Sequence, residues 1–214
     1  MRAEGPGAGK RSNADALVRE RAVGAMLELS GEIGYRAVTV EQLLDRGEVT
    51  VEQFDHQFGD LESCFAAAYA AEAEALCEVM LAAAKEAGEW RAGVRAALLT
   101  VLRFAAKRPA VANALVREVH VVGGAALLKH EEVLERLTVA IERGCAVPAD
   151  ELATVPRAPS FVVGAVEGVI SGRLARGETD DLPAVASELM FLIVASFLGA
   201  EEAADELDRD SPAS

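Results

Sequence analysis

Three histidines, three cysteines and a large excess of carboxylates are what this chain offers to chemistry. A carboxylate-bridged metal centre in a helical bundle needs Glu-x-x-His on two helices. The residues three before His56, His120 and His130 are Gln53, Arg117 and Leu127, so that pattern is missing. His130-Glu131-Glu132-Val133-Leu134 lacks the second histidine that a zinc-protease helix requires. No serine stands in a Gly-x-Ser-x-Gly elbow. Gly5-Pro-Gly-Ala-Gly-Lys10 has the flavour of a phosphate loop. Glu4, however, holds the first glycine position, Arg11 the Ser/Thr position, and no strand precedes it. Cys64, Cys77 and Cys145 follow neither a metal nor a disulfide spacing, and the first two read as small apolar residues on one helix. These residues support no catalytic role, metal or cofactor, and a non-enzyme is the expectation.

A second group is polar rather than reactive. Arg117, Glu118 and His120 end an apolar helix just before Gly123-Gly124. They could supply the few polar groups of a mostly apolar ligand pocket. An ion pair at the surface beside an ordinary, partly buried histidine fits the same residues. Trp90, Phe104, Leu115 and Val119 could line such a pocket, although helical core residues have the same composition.

The elements that must position these groups are helices. Apolar residues recur at helical spacing from Asn13, through Leu17, Val18, Ala22, Met26, Leu29 and Ile33, until Gly31 and Gly34 break the pattern. Gly59-Asp60 starts a long helix that ends near Gly88. Trp90 to Lys107, Ala110 to Val122 and Ala125 to Arg143 follow, punctuated by Pro109 and the glycine pair. Cys145–Arg157, with Pro148 and Pro156, reads as a loop. Ser160–Arg176 carries Gly164, Gly168 and Gly172 every fourth residue, a stripe that lets another helix approach closely. The last helix follows Pro183 and has an apolar face at Val185, Leu189, Leu192, Ile193 and Phe197. Residues 1–12 read as a flexible arm, and 201–214 as a solvated acidic tail.

Between these lies Thr39 to Phe58, in which Thr-Val-Glu-Gln occurs at Thr39–Gln42 and again at Thr50–Gln53. Each copy is a capping box: the Thr hydroxyl takes a free amide at a helix start and the Gln reaches back. Gly47 is placed to end the first short helix. Leu43, Leu44, Val49, Phe54 and Phe58 can meet in one small core, which makes a helix-turn-helix.

At these residues the sequence resembles the DNA-binding domain of the tetracycline-repressor (TetR) family. Gly34-Tyr35, Thr39, Leu43-Leu44, Val49-Thr50, Phe58 and Glu62 stand where that family carries its motif. The resemblance covers roughly residues 14–70. It implies an all-α chain: a three-helix head at 13–60 and a ligand-binding and dimerisation body at 61–200. It further implies a ligand-responsive regulator, most often a repressor, working as a homodimer on a near-palindromic operator. The effector would be a small, apolar molecule. Thr39, Thr50, Val51, Gln53, His56 and Gln57 would approach DNA, and Gln53, His56 or Gln57 could hydrogen-bond base edges. Gly164, Gly168, Gly172, Leu189, Ile193 and Phe197 would form a four-helix bundle with the partner's copies.

Departures from the family pattern fall on functional positions. Asp55 and Leu61 replace a Tyr and a Lys that commonly grip phosphates, and Glu48 replaces a turn glycine. The net charge is −14, and Arg46 alone is basic between Thr39 and Glu62, against seven acidic side chains. A DNA-binding surface normally carries a basic footprint. A dimeric small-molecule-binding or interaction module whose head no longer binds DNA therefore remains the alternative. With no secretion signal, no membrane partner and the longest apolar run, Met190–Ala200, too short to span a bilayer, a reducing cytoplasm is expected.

Overall fold

The computed structural model describes residues 6–144 and 158–208, and every regular element among them is helical. The head consists of α1 (Pro6–Ile33), a single 3-10 turn (Tyr35–Ala37), α2 (Val40–Gly47) and α3 (Val51–Gln57). Both capping boxes form. Thr39 and Thr50 accept from the Gln42 and Gln53 amides, while each Gln side chain accepts from the amide of its own cap. Leu43, Val49 and Phe54 are buried and Leu44 and Phe58 pack against them, as the spacing predicts. Helix α4 (Leu61–Ala87) is capped by the Asp60 carboxylate, 2.7 Å from the Ser63 amide.

The body continues with α5 (Trp90–Lys107), α6 (Pro109–Asn113), a π-helical turn (Ala114–Glu118), α7 (Val119–Val122) and α8 (Gly124–Gly144). After it come α9 (Ala158–Arg176), a 3-10 turn (Leu182–Val185), α10 (Ala186–Leu198), α11 (Ala200–Ala203) and α12 (Asp205–Asp208). The loop expected at Cys145–Arg157 lies outside the described residues.

Four expectations need correction. Helix α1 begins at Pro6, so residues 6–12 extend it instead of forming an arm, a proline being compatible with a first turn. Gly31 does not break α1. A Cβ there would lie 1.7 Å from the Ala110 carbonyl oxygen, so the bare glycine lets α6 cross directly on α1. Gly47 is helical and buried, and the left-handed residue that ends α2 is Glu48, at φ 51°. The acidic tail also packs: Glu206 is fully buried and its carboxylate meets Arg95 at 2.5 Å, while Glu202 meets Arg91.

Packing divides the chain differently from a boundary at residue 60. One core joins the head to α4, α6, the π turn, α7 and α8, through Leu43, Phe54, Phe65, Tyr69, Val111, Leu115 and Val133. A second joins α5, α9, α10 and α11 through Leu98, Leu102, Ile170, Met190 and Ala203.

Two stability changes follow. Glu206 is the fully buried half of an ion pair with Arg95 and Arg91, so Glu206→Ala should cost about 3 kcal/mol in urea unfolding. A left-handed conformation costs a side-chain-bearing residue about 1–2 kcal/mol, whereas glycine adopts it freely. Glu48→Gly should therefore raise the unfolding free energy by about 1 kcal/mol, its 3.7 Å contact with Arg21 being solvent-exposed and of little worth.

Candidate ligand cavity and nucleic-acid-facing head

On the head, Thr39, Thr50, Val51, Gln53 and His56 are exposed and Gln57 is half-buried. The structure thus presents the predicted set at the surface, with different freedom for each. Both threonines and Gln53 are engaged in caps; Gln53 Oε1 accepts from the Thr50 amide at 2.9 Å. Gln57 lies 3.5 Å from the Asp15 carbonyl oxygen. The acidic face persists: Glu52 and Asp55 are exposed on α3. Hydrogen bonds from its own backbone amide and the Thr50 hydroxyl hold the Glu52 carboxyl below its usual range. Arg46 does not offset them, since it turns to α1 and pairs with Glu32 at 3.0 Å and Glu28 at 3.4 Å. Arg19 lies over the Phe58 ring at 5.2 Å. Leu61, predicted on an exposed DNA-facing side, is half-buried against the head core.

A cavity of about 420 Å³ lies in the body, walled by α4, α5, α8 and α9 and closed by Leu115 and Val116 of the π turn and Ile193 of α10. Its walls are chiefly Val, Leu, Ala and Ile, as a chain with 5% aromatics would supply. Of the five predicted ligand residues, Trp90 and Leu115 line it. Phe104 instead packs between the two cores, Val119 is fully buried in the first core, and His120 is exposed. The predicted polar cluster separates in the same way. Arg117 bonds Asn113, Glu118 faces the head and His120 faces His130.

The polar groups of the cavity are Tyr69, His130 and Glu167, with the exposed Lys85 and Glu89. His130 is buried; its Nδ1 is 2.7 Å from the Tyr69 hydroxyl and its Nε2 is 3.1 Å from Glu167 Oε1. Burial first, and the Glu167 carboxylate second, push the Tyr69 hydroxyl well above its usual pKa, so it is a neutral hydrogen-bonding group. Sequence reasoning missed this trio because its members lie on three separate helices. One signal was present: Ala126, His130, Val133 and Leu137 follow helical spacing, which places His130 on the inward face of α8.

Besides α4, which lines the cavity and packs on α1, one short stretch reaches from the cavity to the head. Leu115 and Val116 line the cavity, whereas Glu118 accepts from the Tyr35 amide at 2.8 Å and Asn113 donates to the Gly31 carbonyl at 2.9 Å.

The residues expected at an association face differ in exposure within the chain. Leu189, Ile193 and Phe197 are all at most 7% exposed inside the protomer. They belong to the second core. Gly164 and Gly168 look onto open space, and Phe161 (83% exposed) and Leu192 (52%) are large apolar residues left uncovered.

No family model and no curated protein sequence matches the chain. Solved structures do. The chain is similar to a fatty acid degradation regulator, FadR, from Bacillus halodurans (14% identity, TM-score 0.69, 82% of this chain and 97% of that one). It is also similar to the transcriptional regulator FadR from Bacillus subtilis in complex with stearoyl-CoA (15%, 0.70, 83% and 98%). A third is a TetR family transcription regulator from Marinobacter aquaeolei VT8 (15%, 0.66, 86% and 97%). Nearly the whole of each regulator is matched, head and body together, and the chain has the fold of TetR-family transcription regulators.

Proposed function

We propose that the chain is a homodimeric, DNA-binding transcriptional regulator, acting as a repressor, whose DNA affinity responds to an apolar small molecule held in the body cavity. The observation that carries this reading is the connection from cavity to head through Leu115, Val116 and Glu118. The largely aliphatic walls suit an acyl-chain-like ligand, in keeping with the stearoyl-CoA complex of the Bacillus subtilis neighbour. No helix among the described residues is long and apolar enough to cross a membrane. The second subunit would cover Phe161, Gly164, Gly168 and Leu192, giving two heads for two half-sites of a near-palindrome.

The exposed Glu52 and Asp55 favour the second reading, a ligand-binding module with a head that no longer grips DNA. Binding to DNA from the protein's own upstream region, measured across a salt series, separates the two. Weak, sequence-selective, salt-sensitive binding is expected. Asp55→Tyr with Leu61→Lys should tighten it, the lysine stem lying along the surface that Leu61 now covers. One added phosphate contact per subunit should steepen the salt dependence of a dimer by about 1.8 logarithmic units. No retention at low salt, by either protein while folded and dimeric, would leave the module reading.

A further inference from the structure

His120, His130 and Glu167 each offer one ligand atom, and these atoms all lie within 4.8 Å of one another. We propose that the three side chains form a binding site for a divalent transition-metal ion of the zinc class, set in the wall of the cavity. Nothing in the spacing of the sequence announces it, because the three residues are brought together only by the fold. Gly123 (φ 71°) and Gly124 (φ 53°) turn the chain between α7 and α8, so that the rings of His120 and His130 meet edge to face, with centroids 5.1 Å apart. Helix α9 then brings Glu167 Oε1 to 3.1 Å from His130 Nε2.

Three features favour a metal over a simple histidine–carboxylate contact. The donor set comes first: two imidazoles and one carboxylate suit zinc, and three protein ligands leave a position for water. Bonds of about 2.0–2.2 Å place tetrahedral ligand atoms about 3.3 Å apart. His130 Nε2 and Glu167 Oε1 are already at 3.1 Å, and the exposed His120 has room to close the remaining gap. Next, Glu167 Oε1 is enclosed by protein yet makes no well-directed hydrogen bond, despite its nearness to His130. The two atoms adjoin without pointing at each other, as ligands converging on a third point do. Last, metal-binding histidines characteristically use their second nitrogen to donate to a fixed partner. Here Nδ1 of His130 lies 2.7 Å from the neutral Tyr69 hydroxyl, a partner to which it can donate when Nε2 takes a cation.

The test is a titration of the full chain, freed of metal by chelator and of any histidine tag, with zinc by calorimetry and with cobalt(II) by visible absorption. One ion per chain is expected, with cobalt bands of four- or five-coordinate nitrogen and oxygen ligation. Losing an outer-shell partner costs about 10–100-fold in affinity, and a direct ligand should cost at least as much. His120→Ala, at an exposed position that the fold does not need, should therefore weaken binding by at least about 100-fold. Glu167→Gln should do the same, Tyr69→Phe should weaken it by about 10-fold or more, and His56→Ala on the head should change nothing. The proposal is overturned if the chain binds no zinc at one equivalent, or if His120→Ala binds as tightly as the unaltered chain. Thiolate-to-cobalt absorption would overturn it too, since the ion would then be held by cysteine. No DNA enters the titration, so its result is independent of whether the head binds an operator.

Discussion

The crossing of α1 on α6 at Gly31 is the constraint on which the rest of the molecule depends. With the added Cβ only 1.7 Å from a carbonyl oxygen, no side chain fits there without separating the helices. That crossing sets the distance over which Asn113 reaches the Gly31 carbonyl and Glu118 reaches the Tyr35 amide. It also makes one continuous core out of the helix-turn-helix and the first half of the body. The orientation of α2 and α3 is thereby a property of the body, and the head is no bead on a flexible string.

The cavity sits where the two cores meet. Tyr69, Cys77, Leu115 and Val133 come to it from the first core, and Val94, Leu98, Val162, Ile170 and Ile193 from the second. Protein interiors close such seams when large side chains are available. Here the seam is lined mainly by Val, Leu, Ala and Ile, with Trp90 and Tyr69 its aromatic rings, and a space remains between them. The polar trio is confined to its wall, and Tyr69 and His130 satisfy each other there.

What could be read in the sequence was local. The capping boxes at Thr39 and Thr50 are built from residues three apart, and both form. Trp90–Lys107 coincides with its predicted helix, bounded by a proline and by glycine. Periodicity also found the apolar face of α10, but it could not say what covers that face. Leu189, Ile193 and Phe197 turned out to be covered by their own subunit. The stop of α2 misled for a related reason. Gly47 lies inside the helix, where an added Cβ would come 3.4 Å from the Arg21 carbonyl oxygen, and the left-handed position falls on Glu48. The buried fate of Glu206 depends on arginines 111 and 115 residues earlier, and no local pattern carries such information.

Coupling between the cavity and the head would require a ligand to favour one arrangement of the heads over another. The physical candidate for that preference is the π turn, a geometry rare in proteins and concentrated at functional sites. Its five residues touch everything concerned. Leu115 belongs to the first core, Val116 packs on the second, both line the cavity, and Glu118 holds the backbone of Tyr35 at the entrance to α2. A molecule wedged between the cores bears on Leu115 and Val116 from the cavity side. Any adjustment of the turn toward ordinary α-helix would rotate Glu118 relative to them. Because the Gly31 crossing leaves α1 no slack against α6, such a rotation would be taken up by Tyr35 and the helix that follows it, not lost in a loop. Tight packing at one glycine would thus let a five-residue irregularity act on the head.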